Sequence, residues 1–253
     1  MGATTKVAAR AAVAVAMLCR CALTAVAAPV VAEPALEYEV TEAGTGRVLF
    51  TAWGWTEATD TDPDSVAVLS RTVFPQRGES LVRALFTRDR PLRCLSWERT
   101  LKDKSGAVLS TTQTRWVPEI FPLLSAPFPP DTYPLEAPAG YVVTRLGLGT
   151  QQRASFHTML SDTLAQIDLW VDGRETVRVT AGDFDCYRVR MRANAQSLFP
   201  KLPAFLKPIL SFFIPTYTVW LTVEEPQMLV QFRGQMGPPG SPEVLVRLVN
   251  VKH

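Results

Sequence analysis

Residues 217–235 read YTVWLTVEEPQMLVQFRGQ, and their alternation decides the fold class. Tyr217, Val219, Leu221 and Val223 fall on one face; Thr218, Trp220, Thr222 and Glu224 fall on the other. After Glu225-Pro226 the pattern resumes, with Met228, Val230 and Phe232 alternating with Leu229, Gln231 and Arg233. A period of two residues marks half-buried strands, and the proline marks the turn between them. Outward from this hairpin the same period recurs in EVLVRLVNV (243–251), QIDLWVD (166–172), ETVRVT (175–180) and SLVRALF (80–86). Asp172-Gly173, the tetrapeptide TAGD at 180–183 and KSGA at 104–107 all read as hairpin turns. The expectation is a mostly β protein: a curved antiparallel sheet or half-barrel, built as a meander of eight to eleven strands.

Two stretches interrupt the meander. Residues 117–140 hold seven prolines and read as a loop with at most a short helix near 119–124. Residues 197–215, SLFPKLPAFLKPILSFFIP, are almost wholly apolar. Pro200, Pro203, Pro208 and Pro215 forbid one continuous helix, and Lys201 and Lys207 would be costly at membrane depth. A spanning helix is therefore the poorest reading, and prolines also disqualify a core strand. What remains is a short helical or Pro-rich excursion covering the concave face of the sheet. Its residues 198, 202, 205, 209 and 212 follow a helical spacing, which predicts a buried stripe. The stripe is either a plug completing the core or a lid over an apolar ligand. On the ligand reading, Phe199, Phe205, Ile209, Phe212, Phe213 and Trp220 form the wall.

The N-terminus reads as a signal peptide: Lys6 and Arg10, then an apolar run, then small residues allowing cleavage after Ala27 or Ala32. Arg20 interrupts the run, which argues against an uncleaved anchor. Leu18 and Arg20 precede Cys19 and Cys21, where a lipoprotein signal wants a small residue. No transmembrane span is expected once the signal is removed, and residues 33–253 form a single antiparallel β domain. Lys6, Arg10 and Arg20 leave with the signal, so 26 basic residues become 23 against 24 acidic. A near-neutral chain gives no reason to expect nucleic acid as a partner. Cys94 and Cys186 remain; export permits a disulfide between them, and buried free thiols are the alternative.

The residues also narrow the chemistry. There are two histidines, and His253 is the last residue. His157, in SFHTML, reads as a strand residue with no nucleophile motif nearby. Asp60, Asp62 and Asp64 begin like a calcium loop, but Ser65 and Arg71 stand where the glycine and glutamate belong. No cofactor, metal site or catalytic constellation is expected, and an enzyme ranks third among the readings.

GRETVRVTAGDFDCYRVRM (173–191), YTVWLTVEEPQMLVQFRG (217–234) and GPPGSPEVLVRLV (237–249) resemble the secreted bacterial family filed as domain of unknown function 3108. Val179, Ala181, Gly182, Phe184, Tyr187, Trp220 and Pro226 carry the resemblance; Thr180 replaces the usual proline. The resemblance implies an exported, curved β fold similar in outline to periplasmic lipoprotein carriers, and it offers no catalytic residues to carry over. Together these readings point to the periplasm or cell envelope of a Gram-negative bacterium. There the protein binds an apolar or lipid-like molecule, or is a structural or interaction protein with a self-filled core. Intact mass of the envelope form should place its N-terminus at Ala28 or Glu33; a full-length mass there would refute the signal.

Overall fold

A computed structural model describes residues 35–59, 62, 64–88, 92–115, 129–134, 139–160, 163–199, 202–203, 205, 212–235 and 241–252. The stretch expected to be a signal peptide, most of the 117–140 insertion, Asp60 and Ile209 lie outside the described residues.

Among the described residues the strands form one sheet, 13 in number. Six strands come first: β1 (Ala35–Glu42), β2 (Val48–Ala58), β3 (Ser65–Phe74), β4 (Gly78–Thr87), β5 (Cys94–Lys102) and β6 (Val108–Arg115). Strand β7 (Thr132–Tyr133) and the start of helix α1 (Ala139–Arg145) fall inside the stretch 117–140 that reads as a loop, and β8 (Arg153–Leu160), β9 (Thr163–Val179) and β10 (Gly182–Ala193) follow. A four-residue turn of helix α2 (Ala195–Leu198) leads through the apolar stretch to β11 (Tyr217–Thr222), β12 (Leu229–Gln235) and β13 (Glu243–Lys252). The order across the sheet is β6-β5-β4-β3-β2-β1-β13-β12-β11-β10-β9-β8-β7. Each strand thus neighbours the next in sequence, except that β1 joins β13 and β6 and β7 become the two edges. All pairs are antiparallel save β7 with β8. The expected meander is present, with more strands than the sequence suggested.

The sheet is open and curled, with its apolar face inward. Leu36, Tyr38 and Val40 on β1, Ile167 and Leu169 on β9, and Val244, Val246 and Leu248 on β13 are all essentially inaccessible. Tyr38 also donates its hydroxyl to the Leu229 carbonyl at 2.9 Å, tying β1 to the start of β12. A strand glycine serves the packing here. A Cβ on Gly234 would lie 2.1 Å from the Tyr217 ring, so its absence seats that ring, which stacks on Phe232 at 5.6 Å.

The concave side is filled by α1. Tyr141, Val142, Val143 and Thr144 are successive and all buried. At about 100° per residue they sweep every side of the helix, so no face of this turn meets water. Tyr141 packs on Phe86 of β4, centroids 5.1 Å apart. On the far side, Gly149 (φ +109°) accepts the Tyr187 ring of β10 where a Cβ would lie 2.3 Å from it. The buried Gln227 side chain donates to the Leu148 carbonyl at 2.6 Å. β4 and β10 are far apart in strand order, so a segment touching both spans the concavity. The sheet's ends also approach each other: Tyr133 of β7 donates to the Leu92 carbonyl, just before β5, at 2.8 Å. Its ring lies 6.3 Å from Phe86 and 6.0 Å from Phe156.

Asp172-Gly173 is not the turn that its sequence suggests. β9 runs through it; Arg188 pairs with Gly173 and Val189 with Val171, leaving Asp172 as a bulge. The bulged carboxylate accepts from Nε of both Arg188 and Arg190 at 3.1 Å. TAGD does form the β9–β10 turn, with Gly182 at φ +138°. In KSGA, Gly106 is at φ +86° and Asp103 caps the amides of Ser105 and Ala107.

Phe86→Ala should cost about 3–5 kcal/mol of stability, because Phe86 is fully buried against both Tyr141 and Tyr133. Chemical denaturation would measure it. A loss under about 1 kcal/mol would mean that the plug does not hold the sheet closed.

Candidate functional site

The apolar stretch between β10 and β11 leaves the sheet through α2. Asn194 caps that turn, its side chain accepting from the Gln196 amide at 2.9 Å. Leu198 and Phe199 then pack against the core while still partly exposed. Beyond them the expected buried stripe does not form. Phe205 is 74% exposed, Phe212 85% and Phe213 61%. Phe212 and Phe213 meet edge to face, centroids 5.9 Å apart, and Ile214 turns the chain back into the core at 6% exposure. On the concave side, α1, Leu148 and the Tyr133, Phe86 and Phe156 rings supply the buried apolar packing among the described residues.

Trp220 is also placed differently from a ligand wall. It is 9% exposed and lies on the face of β11 opposite Val219 and Leu221. Its indole N–H donates to Glu175 at 2.7 Å, and Arg188 is its cross-strand partner. Every residue of β11 is buried, so this strand is covered on both faces. Of the six proposed wall residues, the structure leaves three on the surface, half-buries Phe199 and commits Trp220 elsewhere. Ile209 is outside the described residues.

Of the two readings left open for Cys94 and Cys186, the structure has buried free thiols and not the disulfide. Seven strands separate β5 from β10 in the sheet. Burial pushes both thiols up, Cys186 to about 12 with help from the neighbouring Asp185 and Glu175 charges. Neither has the electropositive, accessible setting of a reactive cysteine. His157 sits on β8, and its Nδ1 is 3.1 Å from both Asp131 carboxylate oxygens. The His157 amide also donates to the Asp131 carbonyl at 3.0 Å, so this pair pins the segment entering β7 onto β8. Among the described residues no cluster of His, Cys, Asp and Glu could hold a metal ion, and no helix is long and apolar enough to cross a membrane.

No family model matches the chain, and no curated protein does. Among solved structures, a β-barrel-like protein of domain of unknown function 1849 from Brucella abortus is similar, at 7% identity and a TM-score of 0.41. The match covers 87% of this chain and 97% of that one. A candidate exported protein with a YmcC-like fold from Bacteroides fragilis matches at 11% identity over 90% of this chain and all of that one, with a TM-score of 0.37. A candidate lipoprotein from Parabacteroides distasonis matches at 12% identity over 88% and 97%, also at 0.37. None of the three is near enough to transfer a site.

A chain beginning at Glu33 should resist thiol reagents while folded, at pH 9 as at pH 7, and titrate two thiols once unfolded without reductant. Labelling of the native protein that rises steeply between those pH values would contradict the burial of Cys186.

Proposed function

We propose that the protein is an exported, non-enzymatic component of a Gram-negative envelope, and that it holds an apolar or lipid-like molecule against the segment 198–214. The single observation behind this reading is the exposure of Phe205, Phe212 and Phe213. Large aromatics grouped on a surface mark contact with another apolar partner. Covering a phenylalanine is worth roughly 1.5–3 kcal/mol, so three give a useful gross affinity before association costs. Charge supports the same reading. From Cys186 to Val223 the sequence has no acidic residue, yet carries Arg188, Arg190, Arg192, Lys201 and Lys207. Such a stretch tolerates an anionic headgroup beside its apolar side chains. The resemblance to domain of unknown function 3108 agrees with export and with a role that needs no catalytic residues.

The filled concavity favours one alternative, in which the protein works only as an interaction or structural module and carries no ligand. Lipid extraction of protein purified from its own envelope separates the two. The wild type should carry lipid, and the triple variant Phe205→Asp, Phe212→Asp, Phe213→Asp should lose it with its melting temperature within a few degrees of wild type. Exposed side chains contribute little to the fold, so a large drop in stability would place them in the core instead. Equal lipid in both proteins, or none in either, rejects the proposal.

A further inference from the structure

On the outer face of the sheet, β8, β9 and the residue after β10 enclose an open cleft of about 570 Å³. This lies within the range of small-molecule sites, roughly 300–1,000 Å³. Its lining includes Arg153, Ser155, Gln166, Asp168, Trp170 and Asn194. Strand register explains the grouping. Arg153 stands opposite Trp170 and Ser155 opposite Asp168, and Gln166, Asp168 and Trp170 alternate along one face of β9. Asp168 is held by two amides: Gln166 donates to Oδ1 at 2.6 Å, and Asn194 donates to Oδ2 at 2.8 Å. Asn194 is fixed in turn by its cap bond to Gln196. The side chains of Arg153, Ser155 and Trp170 have no hydrogen-bond or ionic partner among the described residues.

We infer that this cleft binds an uncharged saccharide. The chemistry of the lining selects the ligand class. Asp168 opposes an anion, and Arg153 opposes a cation. A pyranose satisfies both, because each hydroxyl donates to a carboxylate and accepts from a guanidinium or an indole N–H. Trp170 supplies an apolar aromatic surface for the C–H face of the ring, with a polar edge for its hydroxyls. The two amides hold the carboxylate in one orientation before the ligand arrives, which lowers the ordering cost of binding. Nothing in this argument uses residues 198–214, so the site stands or falls independently of the lipid reading.

The test is an immobilised array of uncharged glucosyl, galactosyl, mannosyl and N-acetylglucosaminyl trisaccharides, followed by calorimetry on whichever binds. Binding should persist in 0.5 M NaCl. It should weaken at least tenfold in Trp170→Ala and in Asp168→Asn, and several-fold in Arg153→Ala. Arg153 is exposed, so its variant keeps the fold and remains informative if Trp170→Ala does not fold. The Phe205→Asp, Phe212→Asp, Phe213→Asp protein should bind the same saccharide as wild type does. No binding across the array, binding abolished by salt, or binding indifferent to both Arg153→Ala and Trp170→Ala overturns the inference.

Discussion

Eight residue pairs, from Ala35 opposite Lys252 to Glu42 opposite Val244, join the first described strand to the last. This pairing sets the order of the whole sheet. Because β1 is satisfied on both sides, by β2 and β13, the ends of the chain are not the ends of the sheet. Among the described residues the edges pass to β6, just before the Pro-rich insertion, and to β7, inside it. An edge exposes unpaired backbone groups, and this fold shortens one of them to two residues and packs Tyr133 of that edge beside Phe86. The same pairing couples the two halves of the chain over the largest sequence separations available. A contact of that kind repays its loop entropy only late in folding.

A sheet curled in this way must fill its concavity, and the filling determines what the rest of the surface can do. Tyr141 to Thr144 bring a helical turn with no solvent face, anchored to β4 on one side and, through Gly149 and Tyr187, to β10 on the other. Outside this packing lie the two surfaces on which the proposals rest: the aromatic segment after α2 and the polar cleft on β8 and β9. The long β9–β10 hairpin supplies β9 to the cleft and leads from β10 into α2. It carries the ion pairs Arg174–Asp185, Arg178–Asp183 and Arg188–Asp172, all well exposed. Pairs of this type contribute little to stability individually. Their better use is to fix the register of a strand whose alternation the Asp172 bulge has interrupted.

The legible part of this molecule was its period of two. Residues 217–251 could be read as three strands because each has one greasy face, and their pairing in the structure follows that pattern. Asp172-Gly173 was misread because a turn and a bulge begin from the same dipeptide; only the partner strand decides between them. The state of the two thiols stayed open for a related reason. Two cysteines in an exported chain are compatible with a bridge or with burial as free thiols, and the number of strands between them is a property of topology. The cleft was missed because its members are ordinary alternate residues on solvated strand faces. Arg153, Ser155, Asp168 and Trp170 become a group only when the register of β8 against β9 is known.

The apolar segment shows where hydrophobicity stops being informative. Its spacing at 198, 202, 205, 209 and 212 argued for an inward stripe, and that argument assumed an empty seat. The seat belongs to AGYVVTRL, 139–146, a stretch too short for a helical period and lacking a strand's alternation. A run of phenylalanines states only that something apolar should cover it. Whether the cover is the protein's own core or another molecule depends on volume, and volume is shared among segments far apart in sequence. With α1 buried inside the sheet, Phe205, Phe212 and Phe213 stay outside the core cluster, and their exposure follows from how that volume is divided.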